Sequence, residues 1–205
     1  SNDPTAQTLG NFMQGAREVG EEEEIVVGNS ITGGILGASP LVQNSHLQSY
    51  VNDLGMWLAM HSERPDLPWR FGVTETMDYN AFSMPGGVIL ISKGVFKRCK
   101  SESELANILS HEIAHVLKRH HIHAIQQESK SGAYKGLGNL AAKELKTDAA
   151  IREVASLAVG AGADLYSRGL DKNDEFEADA MGVVIASRAG FDPRSLLYVL
   201  EELHS

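Results

Sequence analysis

Histidines are unevenly distributed along this chain, and their spacing is the feature that most restricts its fold. Five of the eight histidines lie between positions 111 and 123 of the 205 residues. His111 and His115 are four residues apart, within a run of apolar residues spaced as on one face of a helix. Residues i and i+4 lie one helical turn apart on the same face, so both imidazoles can bind one metal ion. The sequence therefore predicts a helix that carries a metal site.

Glu112 completes a His-Glu-x-x-His pattern. Its side chain is expected roughly 100° around the helix from His111, too far to be a third ligand but near enough to reach a water molecule on the metal. Two neutral imidazoles suit Zn²⁺ and leave positions for a third ligand and for water. The alternative is that both histidines are ordinary core or surface residues. Burial of two imidazoles and a carboxylate without partners is costly, which favours the metal site.

A third ligand has to come from elsewhere, and residues 175–179 contain the best candidates. Glu175 and Asp179 share a helical face, whereas Glu177 is expected to point nearly opposite. From spacing alone, either of the first two could bind the metal. The other could accept a hydrogen bond from the free ring nitrogen of a ligating histidine. A solvated acidic helix start explains the same residues without a metal.

Together, the HExxH pattern at 111–115 and the Glu-x-x-Ala-Asp pattern at 175–179 resemble the gluzincin zinc metallopeptidases. This family includes HtpX-like, CAAX-prenyl-protease-like and BepA-like proteins. The segment 80–89, Asn-Ala-Phe-Ser-Met-Pro-Gly-Gly-Val-Ile, strengthens the resemblance, which is closest to the soluble, envelope-facing BepA-like members. The resemblance implies one zinc ion per chain. The implied zinc ligands are His111, His115 and Glu175, with Glu112 as the general base and Asp179 as a support for the ligands.

The resemblance also implies an activity. A member of this family is expected to be a zinc-dependent endopeptidase that acts on misfolded or unassembled polypeptides in the bacterial envelope, in or facing the periplasm. Peripheral association with a membrane or with membrane-protein assembly machinery is a further expectation. One alternative is a zinc-containing chaperone or assembly factor that binds polypeptides with little hydrolysis, but a purely structural site needs no base at Glu112. A hydrolase using Mn or Fe is a weaker alternative, because two histidines on one helix suit zinc. The oxyanion-stabilising donor of the family is expected beyond Ser205.

The remaining pattern predicts a single, mostly helical α+β domain over residues 1–205, with a chain that continues beyond its C-terminus. The resemblance makes this domain zincin-like. Ser101 and Glu104 predict a capping box at the start of the HExxH helix. Three short strands are expected to form a mainly antiparallel sheet beside that helix. The predicted helices cover 41–60, 101–120, 149–163, 174–189 and 193–203, and the predicted strands cover 69–74, 80–84 and 88–91.

Two segments are candidates for contact with substrate. Gly86, Gly87, Val88 and Ile89 are expected to form an edge strand beside the zinc, where an extended peptide could pair with the backbone. The alternative is a tight hairpin turn followed by an apolar strand that enters the core. The glycine-containing segment 129–147 is a candidate lid over the metal.

Charge and cysteine content restrict the partners. The chain has 27 acidic and 18 basic residues and a net charge of −9, which disfavours nucleic acid as a partner. Cys99 is the one cysteine, so neither an intrachain disulfide nor a Cys-type zinc site can form. Arg98 and Lys100 are expected to lower the pKa of its thiol. The oligomeric state stays open.

Two further groups of charged or ionisable residues are expected to be solvated. The acidic run at 21–24 predicts an exposed first turn of a helix. His120, His121 and His123, beside Lys118 and Arg119, predict an exposed helix end and not a further metal site.

Overall fold

A computed structural model describes residues 19–131 and 169–197. The predicted α+β class, with mostly helices and a small sheet, is confirmed. In chain order the elements are α1 Glu21–Ala38, α2 Ser45–Ala59, β1 Arg70–Thr74, β2 Ala81–Met84, β3 Val88–Ser92, α3 Lys93–Arg98, α4 Glu102–Leu117, α5 His120–Ser131 and α6 Lys172–Arg188. The helix predicted at 149–163, and most of the segments 129–147 and 193–203, lie outside the described residues. Among the residues described, no helix is long and apolar enough to cross a membrane.

The three strands form a mixed sheet in the order β1-β3-β2. β2 and β3 are antiparallel and are joined by the turn at 85–87, with Met84 opposite Val88. β1 and β3 are parallel, with Arg70 opposite Val88. The expectation of a mainly antiparallel sheet is therefore wrong for the β1 pair. Alternating apolar residues show which face of a strand is buried, but they do not show which neighbour it chooses or in which direction.

β3 is buried on both faces, which explains its continuous apolar sequence. Ile89 and Ile91 belong to the larger core cluster, together with residues of α2, α4 and α6. Leu90 lies on the opposite face, in a second cluster with residues of α1 and α5, and Val88 packs against that cluster. The sheet therefore separates two packed layers, and α4 lies in the larger one.

The turn before β3 packs tightly and contains two glycines. Gly86 has a φ of 83°, and a Cβ atom there would lie 2.6 Å from the Cα atom of Ile25 in α1. Because β3 is paired on both sides, the expectation that Gly86, Gly87, Val88 and Ile89 form an edge strand is wrong. The alternative, a tight turn followed by a core strand, describes the segment. Contact of these four residues with substrate stays a prediction, without strand pairing as its mechanism.

Side-chain amides from α2 cover the outer edge of β1. The Asn52 Oδ1 atom accepts a hydrogen bond from the Phe71 amide at 3.1 Å. The Gln48 side chain accepts from the Val73 amide at 2.9 Å and donates to the Val73 carbonyl at 2.8 Å. These contacts satisfy backbone groups that an edge strand otherwise offers to another strand.

The start of α4 shows the predicted N-cap. Ser101 Oγ accepts a hydrogen bond from the Glu104 amide at 3.2 Å. The Glu104 carboxylate accepts from the amide of Lys100 at 2.8 Å, one residue earlier than a capping box requires. The helix that carries the HExxH pattern therefore begins at a defined residue.

The acidic run in the first turn of α1 is only partly solvated, so the expectation of an exposed turn is wrong for half of it. Glu21 and Glu22 are exposed, but Glu23 and Glu24 are buried. The Glu24 side chain is 0% exposed and forms ion pairs with Arg64 at 3.0 Å and Arg119 at 2.9 Å. A carboxylate between two guanidinium groups can be buried because each of its oxygens is paired.

Candidate metal centre

α6 lies along α4 at a close distance, because small residues lie at the point of contact. Ala178 and Ala186 of α6 are fully buried. A Cβ atom at Gly182 would lie 2.9 Å from the backbone nitrogen of His111, so the two backbones nearly touch at this point. Glu175 and Asp179 lie on the same side of α6, about two turns and one turn before Gly182 respectively. The close approach therefore holds both carboxylates beside the first histidine of α4.

Three of the predicted ligands come together between α4 and α6. The Nε2 atoms of His111 and His115 are 2.9 Å apart. The Glu175 Oε2 atom lies 3.3 Å from the first of these nitrogens and 3.7 Å from the second. These atoms form a group in which a single metal ion could contact all three residues. His115 is buried, whereas His111 and Glu175 are partly exposed.

The other ring nitrogen of His111 contacts the carboxylate predicted to support it. Nδ1 lies 2.9 Å from Asp179 Oδ1. Burial opposes protonation of this imidazole, but hydrogen bonds with Asp179 and Glu175 outweigh it and raise the pKa of His111 to about 10. Hydrogen bonds from His111 and His115 hold the pKa of Glu175 well below its usual range. At neutral pH the metal-free cluster therefore holds a proton beside two carboxylates.

The second histidine of the pattern has a different support. His115 Nδ1 lies 2.9 Å from His120 Nδ1, and His120 Nε2 lies 3.1 Å from Glu177 Oε2. The other carboxylate oxygen of Glu177 accepts a hydrogen bond from Lys118 Nζ at 2.7 Å. The expectation that Glu177 points away from the centre is therefore wrong. Its side chain reaches back to α5 and supports the centre through His120.

Two of the three histidines expected at an exposed helix end are buried. His120 is 3% exposed and His121 is 8% exposed, whereas His123 is exposed as predicted. The ring of His121 lies 5.6 Å from that of His115. Burial and the neighbouring histidines lower the pKa of His121 to about 3, so this ring is neutral at physiological pH.

A turn at Arg119 explains this burial. Its φ is 57°, a left-handed conformation that ends α4 and starts α5 in a new direction. On an uninterrupted helix, His120 would lie roughly 140° around from His115, and the rings could not meet. A left-handed non-glycine residue costs about 1–2 kcal/mol, and the ion pair of Arg119 with Glu24 offsets that cost.

Glu112 is buried beside the ligands and has no structural partner in the part of the chain that the structure describes. The residue is 9% exposed, and within the described ranges its carboxylate forms no hydrogen bond or ion pair. It acts on its neighbour electrostatically and contributes to the raised pKa of His111. A buried carboxylate without a structural partner is available to accept a proton from a bound molecule.

The donor set fits a zinc ion. The Nε2 atoms face each other at hydrogen-bond distance, so either a proton or a cation has to lie between their lone pairs. Each Nδ1 is already occupied by a partner on the opposite side of its ring. Two imidazole nitrogens and one carboxylate oxygen are the ligand set of catalytic zinc sites, which leave a position for water.

The environment of Cys99 differs from the expectation. Burial and the nearby Glu104 carboxylate raise the pKa of the thiol to about 11. The expected lowering by Arg98 and Lys100 is therefore wrong: burial and Glu104 determine the pKa of the thiol, and the Arg98 guanidinium lies over the Tyr79 ring, 5.2 Å from its centroid. The thiol is therefore protonated at neutral pH and is a weak nucleophile.

Three residues of the centre were not predicted from the sequence: Gly182, His120 and Glu177. A signal for Gly182 was present, since Ala178, Gly182 and Ala186 recur every four residues as in closely packed helix pairs. The roles of His120 and Glu177 depend on the turn at Arg119. No local pattern predicts that turn.

The comparisons with known proteins agree with this geometry. The chain is 28% identical over 202 residues to the Beta-barrel assembly-enhancing protease of Escherichia coli (strain K12), covering 97% of this chain and 41% of that protein. It is 32% identical over 139 residues to the Mitochondrial metalloendopeptidase OMA1 of Schizosaccharomyces pombe (strain 972), covering 67% and 38%. The Arabidopsis thaliana protein of the same name is 26% identical over 145 residues, covering 71% and 28%.

The chain thus spans about two fifths of the length of the Escherichia coli relative that it matches. A sequence model of peptidase family M48 matches residues 43–205, which include both motifs and the sheet. The chain therefore belongs to peptidase family M48, a metallopeptidase family, and the gluzincin resemblance drawn from its motifs is confirmed.

Proposed function

We propose that this chain is the catalytic domain of a zinc-dependent endopeptidase. One observation carries the proposal. The two Nε2 atoms of His111 and His115 and a carboxylate oxygen of Glu175 converge within 3.7 Å, while the other nitrogen of each ring is held by a separate partner. We assign His111, His115 and Glu175 as the ligands of one zinc ion and Asp179 as the residue that orients His111.

The residues of the centre then have defined roles. Zinc, when bound by these three residues, supplies a Lewis acid that polarises a carbonyl and acidifies water. Glu112 accepts the proton of the water molecule that attacks the peptide carbonyl, and donates it to the amine that leaves. Asp179 accepts a hydrogen bond from His111 Nδ1 and so keeps Nε2 free for the metal.

Substrate and location are proposed from the relatives. The Escherichia coli relative is named as a protease that enhances β-barrel assembly, and the yeast relative is named as a metalloendopeptidase. We propose polypeptide substrates and a role in protein quality control in the bacterial envelope, in or facing the periplasm. We also propose peripheral association with membrane-protein assembly machinery. The net charge of −9 disfavours nucleic acid.

The second candidate is a zinc-containing chaperone or assembly factor that binds polypeptides and hydrolyses few of them. Glu112 distinguishes the two functions. A site that serves only structure has no use for a buried carboxylate without a structural partner, and burying one is costly. The position of Glu112 beside His111 therefore supports the peptidase.

The test is the Glu112→Gln variant, assayed for zinc content by elemental analysis and for cleavage of casein. Gln has nearly the same shape but cannot accept the proton. We expect zinc at one ion per chain and a loss of cleavage of at least about a hundredfold, the usual contribution of a general base.

Glu102→Gln is the matched control, because Glu102 is an exposed residue in the first turn of the same helix. This variant should cleave casein like the unchanged chain. Cleavage by Glu112→Gln at the unchanged rate would refute the assignment of the base. Absence of casein cleavage by the unchanged, zinc-loaded chain, with polypeptide binding retained, would favour the chaperone.

A further inference from the structure

The two histidine ligands of the proposed zinc site are supported in different ways. His111 Nδ1 contacts a carboxylate, Asp179, directly at 2.9 Å. His115 Nδ1 contacts the ring of another histidine, His120, also at 2.9 Å. The second ring nitrogen of His120 then contacts the carboxylate of Glu177 at 3.1 Å. His115 is therefore linked to a carboxylate through His120, whereas His111 contacts its carboxylate directly.

Only one placement of protons satisfies the hydrogen bonds from His115 through His120 to Glu177 while His115 binds a metal. Nε2 of His115 has to be unprotonated, so the proton of this ring is on Nδ1 and is donated to His120. His120 Nδ1 is then the acceptor, and the proton of that ring is on Nε2. That proton is donated to Glu177. Each ring carries one proton and each contact has one donor, so the arrangement needs no additional charge.

The surrounding structure holds His120 in place. The left-handed turn at Arg119 directs the His120 ring towards His115, and the buried Glu24 carboxylate fixes that turn by pairing with Arg119. His120 is 3% exposed, so water does not compete for its ring nitrogens. Lys118 Nζ binds the remaining oxygen of Glu177 at 2.7 Å and orients the carboxylate towards the ring.

We infer that His120 and Glu177 form a positioning pair that sets the tautomer and the ring orientation of His115 for metal binding. The inference rests on the proposed function, since it concerns the support of a proposed zinc ligand. Neither residue reaches the metal. Both act through His115, as the outer hydrogen-bond partners of metal-binding histidines do.

The test is a comparison of zinc affinities, measured by competition with a chromophoric chelator. His120→Leu removes the acceptor, whereas His120→Asn keeps an acceptor atom, Oδ1, close to the position of Nδ1. We expect His120→Leu to weaken zinc binding by about 10- to 100-fold, and His120→Asn to stay within about threefold of the unchanged chain. His123→Leu, three residues further along the same helix and exposed, is the matched control and should bind zinc normally.

Glu177 offers a second test that does not disturb the core, since its side chain is 49% exposed. Glu177→Ala should weaken zinc binding severalfold, and Glu177→Gln, which still accepts a hydrogen bond, should restore most of the affinity. These variants remain informative if His120→Leu does not fold. Circular dichroism of each metal-free variant shows whether the fold is intact.

A spectroscopic measurement tests the proton placement itself. In the zinc-loaded chain, long-range ¹⁵N–¹H correlations should show His115 protonated at Nδ1 and His120 protonated at Nε2. A proton on Nδ1 of His120, or equal zinc affinities of folded His120→Leu and the unchanged chain, would overturn the inference and leave the proposed function intact. Absence of zinc binding by the unchanged chain would refute the proposed function, and the inference with it.

Discussion

Two buried polar clusters are adjacent at the peptide bond between Arg119 and His120. They differ in whether side chains of the protein neutralise their charged and polar atoms. Arg119 belongs to the first cluster, in which the Glu24 carboxylate is paired with two guanidinium groups. His120 belongs to the second, in which ring nitrogens and carboxylates surround the Nε2 atoms of His111 and His115. In the first cluster every carboxylate oxygen has a cationic partner from the chain. In the second, each of the two Nε2 atoms lies close to the other and to Glu175, and no cationic side chain of residues 19–131 or 169–197 lies between them.

The difference separates a structural cluster from a binding cluster. Buried charges that are fully paired within the chain fix a conformation, here the turn at Arg119. Donor atoms that converge without a cation of the chain between them constitute a site for an external cation. The first cluster should therefore stabilise the fold equally with and without a metal ion, whereas the stability contributed by the second should increase when a metal ion binds.

The largest effect is expected from Glu24→Ala, which removes the buried carboxylate that Arg64 and Arg119 share. The free energy of unfolding should fall by about 3–5 kcal/mol, the usual cost of breaking a buried ion pair, both with zinc and with a chelator present. Urea denaturation measures it. Glu22→Ala, in the same turn but exposed, should change it by less than about 0.5 kcal/mol. A loss that occurs only with zinc present would contradict the separation of the two clusters.

Zinc itself should have the next largest effect. At a free concentration about 1,000 times the dissociation constant, it should raise the free energy of unfolding by about 4 kcal/mol. Glu175→Gln should lose most of this gain, yet differ by less than about 1 kcal/mol in the metal-free state, because this carboxylate is 44% exposed. Equal stabilisation of the variant and the unchanged chain by zinc would exclude Glu175 from the site.

Gly182→Ala tests the helix contact that builds the second cluster. The added methyl group would lie 2.9 Å from the His111 backbone and should push α6 away from α4. We expect a loss of about 1–3 kcal/mol of stability, together with weaker zinc binding in the chelator assay. Gly33→Ala in α1 is the control, since a Cβ atom there meets nothing within 4 Å, and it should stabilise the chain by up to about 1 kcal/mol. Unchanged zinc affinity of Gly182→Ala would show that the ligands tolerate helix displacement.

The stability of the metal-free chain and its affinity for zinc should depend on pH with opposite signs. The pKa of His111 is raised from 6.5 to about 10 in the metal-free fold. Its contribution to stability is therefore complete below pH 6.5 and is lost as the pH rises through 10. Zinc has to displace this proton, so zinc affinity should rise by about tenfold per pH unit over the same range. Chelator competition between pH 6.5 and 8.5 measures this slope. A zinc affinity that does not change with pH would show that zinc does not displace a proton from His111.

Much of the site could be predicted from the sequence because its geometry is local to two helices. A separation of four residues puts His111 above His115, and Glu175 above Asp179, on any regular helix. The cap at Ser101 is equally local. These features require only helical periodicity, which the apolar pattern around the motif indicates.

The features that were not predicted depend on contacts between distant segments. The parallel pairing of β1 with β3 is set by which strand inserts between the others, and strand periodicity carries no such information. The burial of His120 depends on Arg119, whose left-handed conformation depends in turn on Glu24, 95 residues away. A charged residue near a helix start is usually solvated. Only the position of Arg64 and Arg119 in the fold makes the burial of Glu24 favourable.

One helix, α6, supplies Glu175, Asp179 and Glu177, which are the proposed third ligand and the carboxylates that support the two histidines. Any displacement of this helix from α4 therefore removes all three functions in one movement. Metal occupancy of such a centre therefore reports whether α6 is docked on α4, and zinc binding should weaken in proportion to the fraction of molecules in which this helix is undocked.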